Sequence, residues 1–253
     1  LDTLSIQDLR MASPFTSFAR TLRNLALAAV VFAATTLTQV NLATAQDKSA
    51  EVEVLFGTGG KLDKFRGYKE EAIGKGWKVD GDALHFDGSG GGDLVTRGEY
   101  RNFELNFEWK VDKGANSGVM YRVSLGDPAP YFSGPEYQIL DDDVHGDGKN
   151  PFTSAAAIYA MYKPENKALK PVGEWNTGRI VLNGNHLEHW LNGVKVCETE
   201  LDGEDWKDRY GKSKFAKWEK FGRNPAGHIV FQDHGDKVWY RDITVKRLPD
   251  NSK

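Results

Sequence analysis

The run Phe103-Glu-Leu-Asn-Phe-Glu-Trp-Lys-Val111 decides the fold class. Phe103, Leu105, Phe107 and Trp109 share one parity, and Asn102, Glu104, Asn106, Glu108 and Lys110 share the other. Successive side chains of a strand point to opposite faces, so this stretch predicts a strand with one face in a core and one in water. Working outward, Trp77-Lys78-Val79 and Ala83 to Phe86 read as a hairpin turning at Asp80-Gly81-Asp82. Further strands are expected at Ser117 to Val123, Tyr137 to Leu140, Gly178 to Leu182, His186 to Leu191, Val194 to Thr199, His228 to Gln232 and Val238 to Arg247. Asn192-Gly193, between two of them, is a strong hairpin signal. Short strands with turn residues between them predict an all-β sandwich or barrel. Asp202 to Arg223 breaks the alternation. It is rich in Lys and Glu, carries Trp206, Tyr210, Phe215, Trp218 and Phe221, and predicts a helical or irregular excursion over the sandwich, able to serve as a lid.

The first 45 residues read as a secretory signal. Met11 is the expected start, Arg20 and Arg23 form a basic segment, and Leu25 to Leu37 carries no charge. Ala43-Thr44-Ala45 suits signal peptidase. An apolar run of about a dozen residues is short of the roughly 20 that span a bilayer. The chain is therefore expected to be exported to the periplasm or beyond, with no membrane attachment after cleavage. Residues 46–52 read as a tether and 53–249 as one sandwich domain, with no repeat or Pro-rich linker to divide it.

The full chain carries a net charge of −3. Three arginines and two aspartates leave with the signal, so the remainder carries −4. This is no footprint for nucleic acid, which selects a basic face. Cys197 stands alone, which excludes an intramolecular disulfide and fits a buried strand residue. Phosphate-loop, nucleophile-elbow and zinc patterns are absent from the sequence, and Gly88-Ser-Gly-Gly-Gly92 is followed by no predicted helix, which leaves it a turn.

Gly134-Pro-Glu-Tyr-Gln-Ile-Leu-Asp-Asp-Asp143 is the most informative polar run. On a strand, Glu136 and Gln138 share a face, where a carboxyl can move a proton and an amide can hold sugar hydroxyls. Asp141 and His145 follow in a polar loop. Asp141, Asp142, Asp143 and Asp147 could hold calcium, an oxygen-seeking ion, although EF-hand spacing is missing; otherwise no cofactor is called for. Asn116 and Arg122 share parity and are expected to face one groove, as are Gln232 and His234. Glu174-Trp175-Asn176 could stack on and hydrogen-bond a sugar ring.

Nine runs in order give the sequence a family resemblance: Phe65-Arg-Gly-Tyr68, Gly90-Gly-Gly-Asp-Leu94, Phe103-Glu-Leu105, Asn116-Ser-Gly118, Tyr121-Arg122, Glu136 to Asp141, Gly173-Glu-Trp-Asn176, His189 to Gly193 and Phe231-Gln-Asp-His-Gly235. Together they resemble the 3-keto-disaccharide hydrolase domain family, from about Glu53 to Leu248. Ala115, and Leu55-Phe-Gly-Thr58, depart modestly from its pattern. The resemblance implies a concanavalin-like jelly roll and activity on sugars oxidised at C3, where the ketone acidifies the C2 hydrogen and the C1 substituent can leave by elimination before water adds. On that reading Glu136 is base or acid and His234 its proton-transfer partner. Asn116, Arg122 and Gln138 bind the enolate and hydroxyls, Trp175 stacks, and Asp141, His145, Glu174 and Gln232 complete the substrate contacts. Two alternatives stay open. One is a carbohydrate-binding module. The other is a two-carboxylate hydrolase, against which stands the amide, not acid, at position 138.

Overall fold

The computed structural model of the chain describes residues 51–250, so the expected signal at 1–45 and most of the expected tether lie outside the described residues. Val52 already belongs to a strand. The strands are β1 (Val52–Phe56), β2 (Phe65–Gly67), β3 (Trp77–Asp80), β4 (Ala83–Phe86), β5 (Leu94–Thr96), β6 (Phe103–Val111) and β7 (Asn116–Val123). They continue with β8 (Glu136–Leu140), β9 (Asn176–Asn183), β10 (His186–Leu191), β11 (Val194–Glu200), β12 (His228–Phe231) and β13 (Val238–Arg247), with a short helix α1 (Glu204–Lys212) in the excursion. One sheet runs β11-β10-β9-β6-β13-β4-β3 with β1 also on β13, and the other runs β2-β5-β12-β7-β8. All pairings are antiparallel, which makes the all-β sandwich that the alternation predicts, the class to which the jelly roll implied by the resemblance belongs.

The alternation of β6 is realised residue by residue: Phe103, Leu105, Phe107, Trp109 and Val111 are buried, and the residues between are half-buried. The β3–β4 hairpin closes with Asp80 opposite Ala83, and Gly81 takes the positive φ of the turn. β1, β2 and β5 have no counterpart in the sequence reading. β2 and β5 are three residues long, too short for a period of two to show.

Between the sheets lies an aromatic core. Phe107 meets Tyr137 edge to face at 5.5 Å, and Phe231 meets Tyr240 at 4.9 Å. Three buried hydrogen bonds cross the same space and fix one sheet on the other. The Tyr121 hydroxyl lies 3.0 Å from His189 Nε2, the Tyr137 hydroxyl donates to the Trp190 carbonyl, and Ser117 Oγ lies 2.9 Å from the Tyr240 hydroxyl. Burial pushes His189 down to about 3, so it serves here as a neutral polar tie. Cys197 is buried, as expected, and burial pushes its thiol up to about 12.

The closeness of this packing is measured at Gly178, opposite Phe107, where an added Cβ would collide with the Phe107 ring. Gly178→Ala is expected to destabilise the fold by about 1–3 kcal/mol. In urea titrations the Gly178→Ala/Phe107→Leu double variant should lose less than the sum of its single variants, because the smaller side chain removes the collision.

Candidate functional site

The five-stranded sheet builds the site on its outer face. Leu94, Val119, Tyr121, Tyr137, Ile139 and Phe231 join the sandwich core, while Val95, Met120, Val123 and Val230 form a separate apolar cluster with Tyr68 on the opposite side. Register then places the polar residues. Phe231 pairs with Leu94 on one side and Val119 on the other, so Gln232 falls between Asp93 and Gly118, whose partner on β8 is Gln138. Asp93, Gln232, Gly118 and Gln138 therefore form one row across four strands, facing outward with the apolar row Val95, Val230 and Met120 beside it. Glu136 stands at the end of that second row, opposite Met120.

Glu136 does not stand upright. A Cβ on Gly118 would overlap its Oε1, so the carboxyl lies over the bare backbone of β7. It is 8% exposed and accepts no hydrogen bond from the described residues. Burial pushes it up to about 8; Lys214 pulls it down, and Asp93 and Asp147 add to the rise. Around it are Asn116, Gln138 and Gln232, with His234, Tyr131, Tyr159, Lys214, Phe215, Lys217 and Trp218 completing a cavity of about 410 Å³. Both polar atoms of the Gln138 amide, Asn116 Oδ1 and Gln232 Oε1 are buried without a hydrogen-bond partner among the described residues. Leaving such groups unmade costs about 1–3 kcal/mol each, and three amides doing so around one carboxyl mark a surface shaped for a polar ligand.

The excursion supplies one wall. Trp206, Phe215 and Phe221 anchor it, with Phe215 and Phe221 stacked at 3.9 Å. The Gly222 amide donates to the Ser133 carbonyl. Trp218 stacks on Phe132 at 4.5 Å and leans on the exposed Tyr131 at 5.3 Å, presenting an aromatic rim. Lys214 lies over the Tyr159 ring at 4.3 Å and is the cation that faces Glu136.

The sequence-predicted residues divide. Glu136, Gln138, Asn116, Gln232 and His234 come together, with Asn116 Nδ2 3.5 Å from His234 Nε2. His145 stands at the margin, its ring 6.2 Å from that of His234, and it caps a turn by accepting the Asp147 amide. Arg122 is a correction. Tyr121 and Arg122 together face Ile229 in a bulge, Arg122 takes φ +53°, and Val123 assumes the outward side. The guanidinium turns away and donates to the carbonyls of Arg101 and Gly184.

Asp141, Glu174 and Trp175 are corrections too. Asp141 accepts the amides of Gly114 and Asp143, and with Glu174 it lines a different cavity of about 630 Å³. Trp175 is covered by Lys110 and Arg241 on the other sheet. Of the aspartates that could hold calcium, Asp141, Asp142 and Asp147 have partners within the protein. Asp142 accepts the Ala155 amide and pairs with Lys167, and Asp147 accepts from the Tyr159 hydroxyl.

Residues the sequence reading passed over are Trp218, Tyr131, Tyr159, Lys214 and Asp93. Trp218 and Lys214 stood in the segment flagged as a possible lid, and Asp93 in the Gly90 to Leu94 run of the family resemblance.

A carboxyl held at about 8 rather than 4.5 has a signature in stability. Between those pH values the unfolded chain releases a proton that the folded chain keeps, so stability falls as pH rises. Glu136→Gln is expected to gain melting temperature over the wild type steadily from pH 5 to pH 8.5. A gap independent of pH would show that Glu136 is ionised in the fold.

Comparison with known proteins agrees with this architecture. Residues 51–246 match the model of the 3-keto-α-glucoside-1,2-lyase-like domain. The chain is 36% identical over 221 residues to a 3-keto-disaccharide hydrolase of Bacteroides thetaiotaomicron, covering 75% of this chain and 76% of that one. A protein of Parabacteroides distasonis provisionally named a glycosyl hydrolase superposes with a TM-score of 0.72 at 32% identity, over 83% of this chain and 99% of its own. A second from the same organism gives 0.62 at 29%, over 78% and 100%. With the family model matched over residues 51–246 and a relative 36% identical, the chain belongs to the 3-keto-α-glucoside-1,2-lyase-like family.

Proposed function

We propose that this protein cleaves the glycosidic bond of 3-keto-glycosides by elimination across C1–C2 followed by addition of water. The observation that carries the reading is the Glu136 carboxyl, buried with no hydrogen-bond partner among the described residues, beside the amides of Gln138, Asn116 and Gln232, whose oxygens also lack one there. At neutral pH a carboxyl held near 8 is mostly protonated and suits a donor rather than a base. A ketone at C3 makes the C2 hydrogen acidic, because the electron pair left behind spreads onto the C3 oxygen. Asn116, Gln138 and Gln232 offer amides to that oxygen and to the sugar hydroxyls, and the Lys214 ammonium favours the negative charge as it develops. The departing C1 oxygen then takes the Glu136 proton. Trp218 and Tyr131 give one sugar face an apolar seat. His234, exposed at the rim against Asn116, orients that amide. A simple binding platform needs the aromatics and amides but has no use for a buried carboxyl.

Purified protein incubated with a 3-keto-glucoside in deuterated water should release the aglycone and exchange the C2 hydrogen, while the unoxidised glucoside stays intact. Release from both sugars would point to direct two-carboxylate hydrolysis, and binding without release to a carbohydrate-binding module. Glu136→Gln should lower release by about 10²–10⁴-fold. Trp218→Ala should raise KM about 3- to 10-fold and change kcat little, the range a lost stacking contact supports.

A further inference from the structure

A single acid does not complete this chemistry, because the C2 proton needs a taker. Asp147 acts on Glu136 as well but accepts the Tyr159 hydroxyl, and His145 caps a turn at the margin; on the outer face of the five-stranded sheet the other proton acceptors near Glu136 among the described residues are His234 and Asp93. His234 is close to half exposed, its Nε2 faces Asn116, and its Nδ1 stands 3.9 Å from Asp236. Asp93 is on the floor. It lies in the same cross-strand row as Gln232, Gly118 and Gln138, at the foot of β5. The Glu136 carboxyl rests over Gly118 on β7, and β12 alone separates β7 from β5. Two strand spacings put the backbones beneath the two carboxyls about 9.5 Å apart, with Gln232 on the strand between them.

That span suits a sugar ring held between a base and an acid on opposite sides of one bond. Asp93 also opens on a cavity of about 480 Å³, lined by Tyr68, Gly91, Gly92 and Pro130 among others. Pro130 on this cavity and Tyr131 on the Glu136 cavity are consecutive residues.

We propose that Asp93 is the base that takes the C2 proton in the groove where Glu136 is the acid, and that the cavity over Asp93 seats part of the glycoside. The proposal rests on the keto-glycoside reading and adds to it the second proton-transfer group. The electron pair of the C2–H bond moves to C3 and its oxygen as the proton goes to Asp93. Collapse of the enolate forms the C1–C2 double bond and expels the C1 oxygen, which takes the Glu136 proton. Water then adds to C1. Its proton returns to Glu136, and Asp93 gives its proton back to C2, so both groups end as they began.

The surroundings of Asp93 fit the task. Burial pushes its carboxyl up to about 6, the Asp233 amide it accepts works against the rise, and the Asp233 charge adds to it. Tyr68, held up at about 12 chiefly by burial, faces it from the end of β2, and Lys69 and Glu70 stand on the cavity rim. Glu136 feels it from β8. Asp93 is thus mostly ionised at neutral pH and close enough to neutrality to be a useful base.

Asp93→Asn keeps the shape and the oxygen that accepts the Asp233 amide. With the 3-keto-glucoside, this variant should lose C2 hydrogen exchange and aglycone release together by about 10²–10⁴-fold, while Glu136→Gln loses release but keeps exchange. In the wild type, exchange should rise with pH through about 6, the value of Asp93. A binding titration with the unoxidised glucoside shows whether Asp93→Asn is folded. Should it not fold, Asp93→Glu, which keeps the charge and moves the carboxyl by one methylene, decides: exchange reduced about tenfold or more with glucoside binding kept supports Asp93, whereas wild-type exchange overturns the proposal. Folded Asp93→Asn with wild-type exchange overturns it as well. Wild-type protein inert on the keto-sugar would instead overturn the keto-glycoside reading beneath it.

Discussion

Both faces of the five-stranded sheet are withdrawn from water, and the site depends on that. One face closes on the aromatic core, and every residue of β5, β7, β8 and β12 is buried. Over the other face come the Pro130 loop and the excursion, leaving cavities where polar side chains sit out of reach of bulk solvent. In such a place an amide without a partner and a carboxyl without a donor are both unfavourable. The carboxyl's remedy is to keep its proton. The amides' remedy is a ligand that brings hydroxyls. Chemistry and binding thus follow from one desolvated face, and the core packing elsewhere offsets the several kcal/mol it withholds from stability.

Floor and wall are made differently. The floor is a hydrogen-bonded sheet tied to its partner sheet through Ser117, Tyr121 and Tyr137, so the row from Asp93 to Gln138 inherits the spacing of strands. The wall is an aromatic column from Trp206 through Phe221 and Phe215 to Trp218, held by ring stacking and one backbone bond to Ser133. Groups that must meet reacting atoms stand on the floor. Groups that recognise a sugar face stand on the wall, where small differences in ring shape are easier to accept.

Alternation carried most of the sandwich into view, because a period of two is a local property and β6 or β10 displays it whole. It also put Glu136 and Gln138 on one face correctly. It failed at Arg122, where a single bulged residue with φ +53° reverses the side of everything beyond Tyr121, and nothing in Tyr-Arg-Val announces a bulge. Trp175 looked like a sugar platform from its neighbours in sequence, but its partners Lys110 and Arg241 arrive from strands far along the chain. Asp93 was hidden by the brevity of β5: three residues give no alternation to read, and the glycines before it look like any turn. One of them, Gly91, instead lies against Gly74 so closely that neither position has room for a side chain.

Four carboxyls at or beside the ends of β5, β8 and β12 can be sorted by the donors they meet. Asp141 accepts two backbone amides and is consumed in holding the β7–β8 end together. Asp233 also accepts two, from Gly92 and Gly235, and pins the glycine loop. Asp93 accepts the Asp233 amide and keeps its other oxygen for the cavity. Glu136 accepts none. A carboxylate whose lone pairs are filled by fixed N–H groups has its charge stabilised and its geometry locked, which is the task of a scaffold. One with few or no donors is poised to change its protonation state, which is the task of a catalyst. Residue type alone does not separate Asp141 from Glu136, five positions apart on the same run. What separates them is the backbone each one faces: the turn at Gly114 turns its amide toward Asp141, while the flat strand at Gly118, stripped of a side chain, offers Glu136 space and no hydrogen bond.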